Sequence, residues 1–373
     1  MNKTDEEDFQ IRFRELGFSV GELPTGSLNA ITDVTGVKVG HQTNFRDYPT
    51  SCARTGVTVI LPHSFNLFEQ KVRAACFVMN GFGKTIGLSQ IHELGTIESP
   101  IAITNTFNVP RCAEALIEYK IARNPSIGAE KGSVNVIVGE CNDGWLNDLR
   151  GLYVTKKDTQ IAINNSRTDL PAEGCVGAGT GMIAFGYKSG IGTSSRLIQS
   201  DKRSYTVGVL CVPNFGRRRD LNILGIPIGK LLSSSSPADL MDGSIMTIIA
   251  TDAYLTSRQL KRLTKRAVIG FGRVGSIIGA KSGDFIIAFS TTSQVSSNGE
   301  NIPIDRPLIA ESSKVMNLLF RAVIEATEES ILNALFMATS MTGFQGHFVE
   351  KIPVNEIQGY LQKVQSLGLL SPL

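Results

Sequence analysis

The sequence of 373 residues lacks the features of several protein classes. No apolar stretch reaches the ~18 residues that a membrane-spanning helix needs, and the acidic, polar N-terminus has no signal-peptide core. The net charge is only +3, and no aromatic residues interleave with the basic clusters, as a nucleic-acid stacking surface would require. We therefore expect a soluble, cytoplasmic protein with no membrane or nucleic-acid partner.

Metal-binding and nucleotide-binding motifs are also missing. The six cysteines, at positions 52, 76, 112, 141, 175 and 211, occur singly, and the four histidines lie far apart without an HExxH spacing. The glycine-rich residues 173–182 lack the Gly-Lys-Ser/Thr ending of a phosphate-binding loop. The sequence predicts reduced cysteines, no metal and no cofactor. It favours close backbone packing, or a cleft walled by main chain, at the glycine-rich segment.

Apolar strands alternate with amphipathic helices along the whole chain. This pattern predicts an α/β protein, with residues 1–373 as a single globular domain in which helices cover the sheets in four αββα layers. We expect strands at residues 29–34, 37–40, 56–61, 73–79, 101–104, 134–138, 204–212, 245–251 and 285–289. We expect helices at residues 86–94, 110–122, 256–276, 311–326 and 328–340, the last beginning at two glutamates that suit a helix N-terminus.

One glycine–serine bond stands between a loop and an apolar run. Residues 233–237 (SSSSP) predict a flexible loop, whereas the β-branched run 245–251 predicts a buried strand, and Gly243–Ser244 precedes that strand directly. A chain that cuts itself there would give Ser244 both a nucleophilic hydroxyl and a new α-amine that acts as its base. The alternative is an ordinary entry from a loop into a strand.

Other polar residues stand at the ends of predicted strands and are able to complete such a site. Asn214 is a candidate for holding an oxyanion, and Glu140 for pairing with a substrate ammonium group. Ser282 is placed to hydrogen-bond Ser244, with Asp284 orienting Ser282. Each of these residues also has an ordinary structural interpretation as a turn, cap or salt-bridge residue.

The order of motifs resembles the self-processing serine aminopeptidases, which include L-aminopeptidase/D-amino-acid esterase-amidase and the β-aminopeptidases. The motifs lie at residues 14–17 (RELG), 28–34 (LNAITDV), 80–83 (NGFG), 93–100 (ELGTIESP), 139–143 (GECND), 177–182 (GAGTGM) and 242–245 (DGSI). The resemblance implies an αββα fold like that of N-terminal-nucleophile hydrolases but with different connectivity, shared with ornithine acetyltransferase.

The resemblance also implies activation by autocleavage. A cut at Gly243–Ser244 would give an α-chain of 1–243 and a β-chain of 244–373, assembled as a homotetramer. The family's second serine and acidic residue fall on Ser282 and Asp284, although some relatives carry Glu at the latter place. Its oxyanion asparagine falls on Asn214 and its amine-binding glutamate on Glu140, while Asn142 and Trp145 are expected to line the substrate pocket.

The resemblance implies an aminopeptidase or amidase that acts on short peptides, amino-acid amides or esters through a serine acyl-enzyme. The choices between α- and β-amino acids and between L and D forms stay open. Two alternatives remain: an acyltransferase of the ornithine acetyltransferase type, against which a serine rather than a threonine nucleophile argues, and an uncleaved, non-catalytic binding protein of the same fold.

Overall fold

Two β-sheets stacked face to face form the centre of the computed structural model, which describes residues 10–200, 203–232, 243–296 and 308–370. The strands are β1 Lys38–Asp47, β2 Cys52–Leu61, β3 Gln70–Gly81, β4 Thr96–Ile97, β5 Ile101–Asn105, β6 Ile137–Cys141, β7 Ile183–Ala184, β8 Tyr187–Lys188, β9 Gly192–Gln199, β10 Ser204–Asn214, β11 Ser244–Thr251, β12 Gly283–Ser296, β13 Met341–Thr342 and β14 Phe348–Val349. The helices are α1 Leu88–Leu94, α2 Val109–Arg123, α3 Lys156–Asn164, α4 Ile228–Leu231, α5 Ser257–Arg273, α6 Lys314–Phe336 and α7 Val354–Ser366.

The larger sheet has the strand order β4-β3-β12-β11-β10-β9, and the smaller has the order β1-β2-β5-β6. Within the larger sheet, β11 pairs in parallel with β12 and antiparallel with β10. Helices α5 and α6 pack on its outer face, and α2 and α3 pack on the outer face of the smaller sheet. The predicted four-layer αββα arrangement is confirmed.

The alternation of side chains along each strand explains why both faces of the larger sheet are buried. In β10, Val207 and Val209 face the helices, while Leu210 and Val212 pack between the sheets. On the smaller sheet, Val57 and Val59 of β2 pack against α2 and α3. Three apolar clusters therefore hold the four layers together, and the central one lies directly beneath the strand ends that carry the polar candidates.

Several predicted elements differ from the observed ones. Residues 29–34 form no strand, because Asp33 accepts hydrogen bonds from the backbone of Leu28 and Ala30 and closes a single 3₁₀ turn there. The expected strand at 134–138 begins three residues later, at Ile137. Helices α3 and α7 were not expected.

The glycine-rich segment is buried and packs closely, since Gly177 and Ala178 donate to the hydroxyls of Thr43 and Thr58.

The last two predicted helices are a single helix. Helix α6 runs without a break from Lys314 to Phe336, through the two glutamates that were expected to begin a new helix. Arg273 of α5 pairs with Glu328 at 3.0 Å, and Arg196 of β9 pairs with Glu329 at 2.6 Å. The glutamates are therefore neutralised by basic partners from other elements rather than by a helix N-terminus.

Within the described residues, no helix is long and apolar enough to cross a membrane.

Candidate active site

The pairing of three neighbouring strands places Ser244 at the end of a central strand of the larger sheet. Ser244 begins β11, opposite Asn214 on β10 and opposite Gly283 on β12. Directly before it, Gly243 lies so close to β10 that an added Cβ would stand 2.2 Å from the carbonyl oxygen of Asn214. Only glycine fits there, and its small size lets the chain enter the strand against β10.

Two nitrogen donors converge on the hydroxyl of Ser244. The backbone N–H of Asn142 and the Nδ2 of Asn214 each donate to the Ser244 Oγ at 3.4 Å. The amide of Asn214 is fixed at both ends, because its Oδ1 accepts from the Ile183 N–H at 3.0 Å and its Nδ2 also donates to the Asn142 carbonyl at 2.8 Å. The orientation of the Asn214 amide is thereby defined, with its NH₂ facing the serine.

Glu140 reaches the same place from the smaller sheet, at the end of β6. Its side chain is 4% exposed, and its two oxygens accept hydrogen bonds from the Lys84 N–H at 3.0 Å and the Thr106 hydroxyl at 2.5 Å. A Cβ on Gly83 would lie 2.9 Å from Glu140 Oε1, so glycine leaves room for the carboxylate. A carboxylate held in this way is suited to bind a cation.

Ser282 and Asp284 form a contact of their own beside the site. The Ser282 hydroxyl donates to Asp284 Oδ1 at 2.8 Å. Burial raises the pKa of Asp284 to about 6, against the opposing effect of the Ser282 hydrogen bond. Asp284 Oδ2 is buried and accepts no hydrogen bond from any residue that the structure describes. No hydrogen bond between described residues links Ser244 to either of them, and neither lines the cleft above Ser244.

That cleft has a volume of about 440 Å³ and brings the rest of the predicted site together. Among the predicted residues it is lined by Glu140, Asn142, Trp145, Asn214, Gly243 and Ser244. Trp145 stacks on His347, with ring centroids 4.0 Å apart and an angle of 8° between the planes. The Asn142 side chain is exposed, and its Oδ1 accepts from the Gly144 N–H, so it is the backbone of Asn142 that contacts Ser244.

Sequence reasoning missed part of the lining. The additional residues are Phe82, Lys84, Thr106, Gly144, Leu149, Ile183 and Lys281. The NGFGK segment that follows β3 was a visible signal for Phe82 and Lys84, because it ends an apolar strand as the GECND segment does. Nothing in the local pattern singles out Leu149 or Ile183, which reach the cleft through long-range packing.

A buried carboxyl group lies behind the Asn142 backbone. Asp143 is 1% exposed, and burial raises its pKa to about 7, although Asn147 donates to its Oδ1 at 3.0 Å. Burial also raises the pKa of the neighbouring Cys141 thiol.

The described part of the chain holds no group of three or more His, Cys, Asp or Glu side chains that could bind a metal ion. The side chains that line the cleft include a hydroxyl, an amide, a carboxylate and two lysines.

Comparisons with known proteins agree on one family. The model of peptidase family S58 matches residues 29–349. A β-peptidyl aminopeptidase of Sphingosinicella xenopeptidilytica is 38% identical over 367 residues, which cover 93% of this chain and 90% of that protein. The match therefore extends over the strands and helices that carry the whole cleft.

Two solved structures share the fold. A β-aminopeptidase of a Burkholderia species superposes with a TM-score of 0.87 at 36% identity, over 95% of this chain and 99% of the other. The L-aminopeptidase D-Ala-esterase/amidase of Ochrobactrum anthropi superposes with a TM-score of 0.86 at 35% identity, over 96% and 99%. It is described as a prototype for the serine aminopeptidases and a new variant of the Ntn hydrolase fold, in agreement with the fold class expected from the sequence.

Proposed function

This chain belongs to peptidase family S58 and is an aminopeptidase, and on that premise we propose that Ser244 is its nucleophile and is released by autocleavage of the Gly243–Ser244 bond. The observation that carries the proposal is the convergence of Asn142, Asn214 and Glu140 around Ser244 in one cleft. An oxyanion site, a nucleophile and an ammonium site are the three parts that an aminopeptidase with an acyl-enzyme requires.

The bond to be cut is polarised by a backbone contact. The Gly243 carbonyl oxygen accepts a hydrogen bond from the Gly283 N–H at 2.9 Å. In the proposed cleavage the Ser244 Oγ adds to this carbonyl carbon, the amide C–N bond breaks, and the hydroxyl proton passes to the leaving nitrogen. Water then hydrolyses the resulting ester, which leaves a carboxylate on the 1–243 chain and a free amine on the 244–373 chain. The predicted loop at 233–237 lies outside the described residues.

In the processed protein Ser244 would attack the acyl carbon of the substrate. Its new α-amine accepts the hydroxyl proton and later protonates the leaving group. The Asn214 amide and the Asn142 N–H then donate to the oxyanion, and the loss of one such donor typically costs ~3 kcal/mol of transition-state stabilisation. We assign Ser282 and Asp284 to positioning on the β12 side of Ser244, since Gly283 between them pairs directly with Ser244.

Glu140 would select substrates with a free amine. Its two hydrogen bonds hold the carboxylate at the cleft, where an ammonium group can pair with it. A volume of about 440 Å³ is at the small end of the range for ligand sites, roughly 300–1,000 Å³, and favours short peptides, amino-acid amides or esters. Trp145 and Asn142 contribute to the wall that surrounds the substrate.

Replacing Glu140 by Gln tests this assignment. Glu140→Gln keeps the size of the side chain but removes the charge, so we expect kcat/KM for an amino-acid amide to fall by at least about thirtyfold. The cleavage of Gly243–Ser244 should proceed as in wild type, because no substrate ammonium takes part in it. Glu130→Gln, an exposed residue, serves as the matched control. Equal damage to cleavage and to amide hydrolysis would show that Glu140 is structural instead.

A further inference from the structure

We propose that His347 is a positioning residue that holds the indole of Trp145 as a flat apolar surface in the cleft, and that this surface favours substrates with an aromatic ring. Trp145 lines the cleft above Ser244, whereas His347 is not among the described residues that line it. The proposal deepens the proposed aminopeptidase function and rests on it, since it takes this cleft as the place where the substrate binds.

One imidazole contacts Trp145 at two separate points. The rings of His347 and Trp145 are nearly parallel, with centroids 4.0 Å apart and an angle of 8° between the planes. The Nδ1 of the same imidazole lies 2.8 Å from the Trp145 carbonyl oxygen. A carbonyl oxygen only accepts hydrogen bonds, so Nδ1 carries the proton and donates. The side chain and the backbone of Trp145 are therefore held by the same partner.

The segment that carries His347 is bonded to the residue after Trp145. The Phe344 N–H donates to the Leu146 carbonyl at 2.8 Å, and the Gly343 N–H donates to the His347 carbonyl at 2.8 Å. A Cβ on Gly343 would stand 2.2 Å from the Leu146 carbonyl oxygen, so only glycine allows this approach. The turn that carries the imidazole is thus fixed by contacts other than those with the indole.

Apolar packing joins the same two segments. Met341 and Val349 lie on the short paired strands β13 and β14 that flank His347, and they form one buried cluster with Leu146 and Ile183. The tryptophan, which is half-buried, packs against this cluster. Two segments about two hundred residues apart in the sequence therefore support one aromatic side chain.

Trp145 also shares a turn with the oxyanion donor. The turn begins at Asn142, whose N–H donates to the proposed nucleophile. The next residue, Asp143, accepts at its carbonyl from the Asn147 N–H at 2.9 Å and at its Oδ1 from the Asn147 side chain at 3.0 Å. These bonds do not involve His347. Removal of the imidazole should therefore free the indole and leave the oxyanion donor in place.

A fixed indole favours a ring on the substrate for two reasons. Aromatic rings attract one another when they stack with an offset or meet edge to face, and a methyl group offers much less contact area. An indole that is already held loses little freedom when a ring binds against it, whereas a free indole must be immobilised at that moment. The substrates favoured are amines with an aromatic ring, in the acyl part or in the leaving group.

The kinetic test compares kcat/KM within two pairs of substrates for wild type, His347→Ala and His347→Phe. The amides of phenylalanine and alanine differ in the acyl part, and the anilide and methylamide of alanine differ in the leaving group. Each pair is also prepared with the corresponding β-amino acid. We expect His347→Ala to lower the ring-to-methyl ratio of at least one pair by about fivefold, the order expected for immobilising one side chain. His347→Phe keeps a ring against the indole and should keep the ratio.

A double variant separates positioning through Trp145 from general damage to the fold. Trp145→Ala should lower the same ratio, and adding His347→Ala to it should lower the ratio no further, since no indole is left to hold. His92→Ala, which replaces an exposed histidine on α1, is the matched control and should leave every ratio unchanged. Use of a ratio cancels any general loss of active enzyme.

Fluorescence gives a readout that needs no turnover, because Trp145 is the only tryptophan of the chain. The probe is benzylamine, which carries an ammonium group and a ring but no bond that an aminopeptidase hydrolyses. We expect benzylamine to change the emission of wild type and of His347→Phe with similar Kd values, and to bind His347→Ala with a Kd about fivefold higher. Ethylamine lacks the ring and, measured as an inhibitor, should not distinguish the three proteins.

Unchanged ratios and an unchanged benzylamine Kd in His347→Ala would overturn the positioning role alone. An equal fall in kcat/KM for every substrate would also overturn it, because a merely structural residue has that effect. Failure of the wild type to cleave any of the amides and anilides would overturn the proposed function, and the effect of His347→Ala on the benzylamine Kd would still decide the positioning role.

Discussion

At the scale of single residues, the sequence predicts part of the lining of the cleft. The sequence predicted polar residues at the ends of apolar strands. The structure brings Glu140, Asn214 and Ser244 to one cleft because the end of β6 in the smaller sheet lies against the paired ends of β10 and β11 in the larger sheet. Two details of the cleft could not be predicted from the sequence. The donor at position 142 is the backbone rather than the side chain, and Lys281 reaches the cleft through a turn whose contacts with β3 are not local. Both depend on tertiary packing, which no local pattern encodes.

Gly243 gives the most local prediction. Gly243→Ala places a Cβ 2.2 Å from the Asn214 carbonyl oxygen, so the pairing of β10 with β11 must shift. We expect cleavage before Ser244 to slow by at least tenfold, because a displacement of about 1 Å can cost about 10² in rate. The fraction of cleaved chain over time on a denaturing gel measures it.

The control for that variant is Gly272→Ala, on α5, where an added Cβ meets nothing within 4 Å. It should cleave at the wild-type rate. If Gly243→Ala is processed as fast as the control, the close approach of Gly243 to β10 has no part in positioning Ser244.

Asp284 gives a prediction about pH. Burial raises its pKa in the folded protein to about 6, above the ordinary value of 3.8, so the folded state binds the proton more tightly than the unfolded state. The stability that this group contributes is present at pH 4 and is lost as the pH rises to about 6. Asp284→Asn removes this dependence of stability on pH. The free energy of unfolding of the variant, relative to that of the protein with Asp284, should therefore rise by up to about 3 kcal/mol between pH 4 and pH 8.

Urea unfolding of the two proteins at both pH values checks this, with both chains carrying Ser244→Ala so that each is an uncut chain of the same length. A difference in stability that does not change with pH would mean that Asp284 titrates normally.

Secondary-structure elements show where sequence patterns fail. Glu328 and Glu329 were read as the start of a helix because acidic residues suit a helix N-terminus. In the structure they lie within α6, and burial alone would raise the pKa of Glu329, but Arg196 and Arg14 hold it below its ordinary value. Partners on β9 and near the N-terminus are distant in sequence, so the local pattern cannot reveal them. Strands β10 and β11 were predicted to within two residues because continuous apolar runs identify strands buried on both faces, whereas β2 begins four residues before the predicted run.

Arg196 connects the first residues of the described chain to α6 and the larger sheet. It is fully buried, pairs with Glu325 at 3.2 Å and Glu329 at 2.6 Å, and donates to the Val20 carbonyl at 2.7 Å. Arg196→Met leaves two buried carboxylates short of a partner, so we expect a loss of about 3–5 kcal/mol in the free energy of unfolding. Denaturant unfolding measures it.

Arg258→Met is the control, since Arg258 is an exposed residue that pairs with Glu311. It should cost less than about 1 kcal/mol. Comparable losses in the two variants would show that the buried ion pairs do not hold α6 against the sheet.

At the scale of the whole molecule, two sheets whose strands interleave along the chain meet so that their polar strand ends share one cleft. The four layers follow from strands that are apolar on both faces, and this much was predictable. The strand order was not, because β3 pairs with β12 across more than two hundred residues, and many pairings satisfy the same apolar pattern. Assembly as a homotetramer, the division into chains 1–243 and 244–373 and cytoplasmic location stay predictions.

The most direct test of the central claim is the intact mass of the purified protein beside its Ser244→Ala variant. The account predicts two fragments in wild type, the smaller beginning with Ser244, and a single uncut chain in the variant, because the change removes the attacking hydroxyl but no core packing. A fragment that begins at position 244 in both proteins would contradict autocleavage by Ser244. A single full-length chain in both, with aminopeptidase activity present, would contradict the claim that a freed Ser244 amine is the catalytic base.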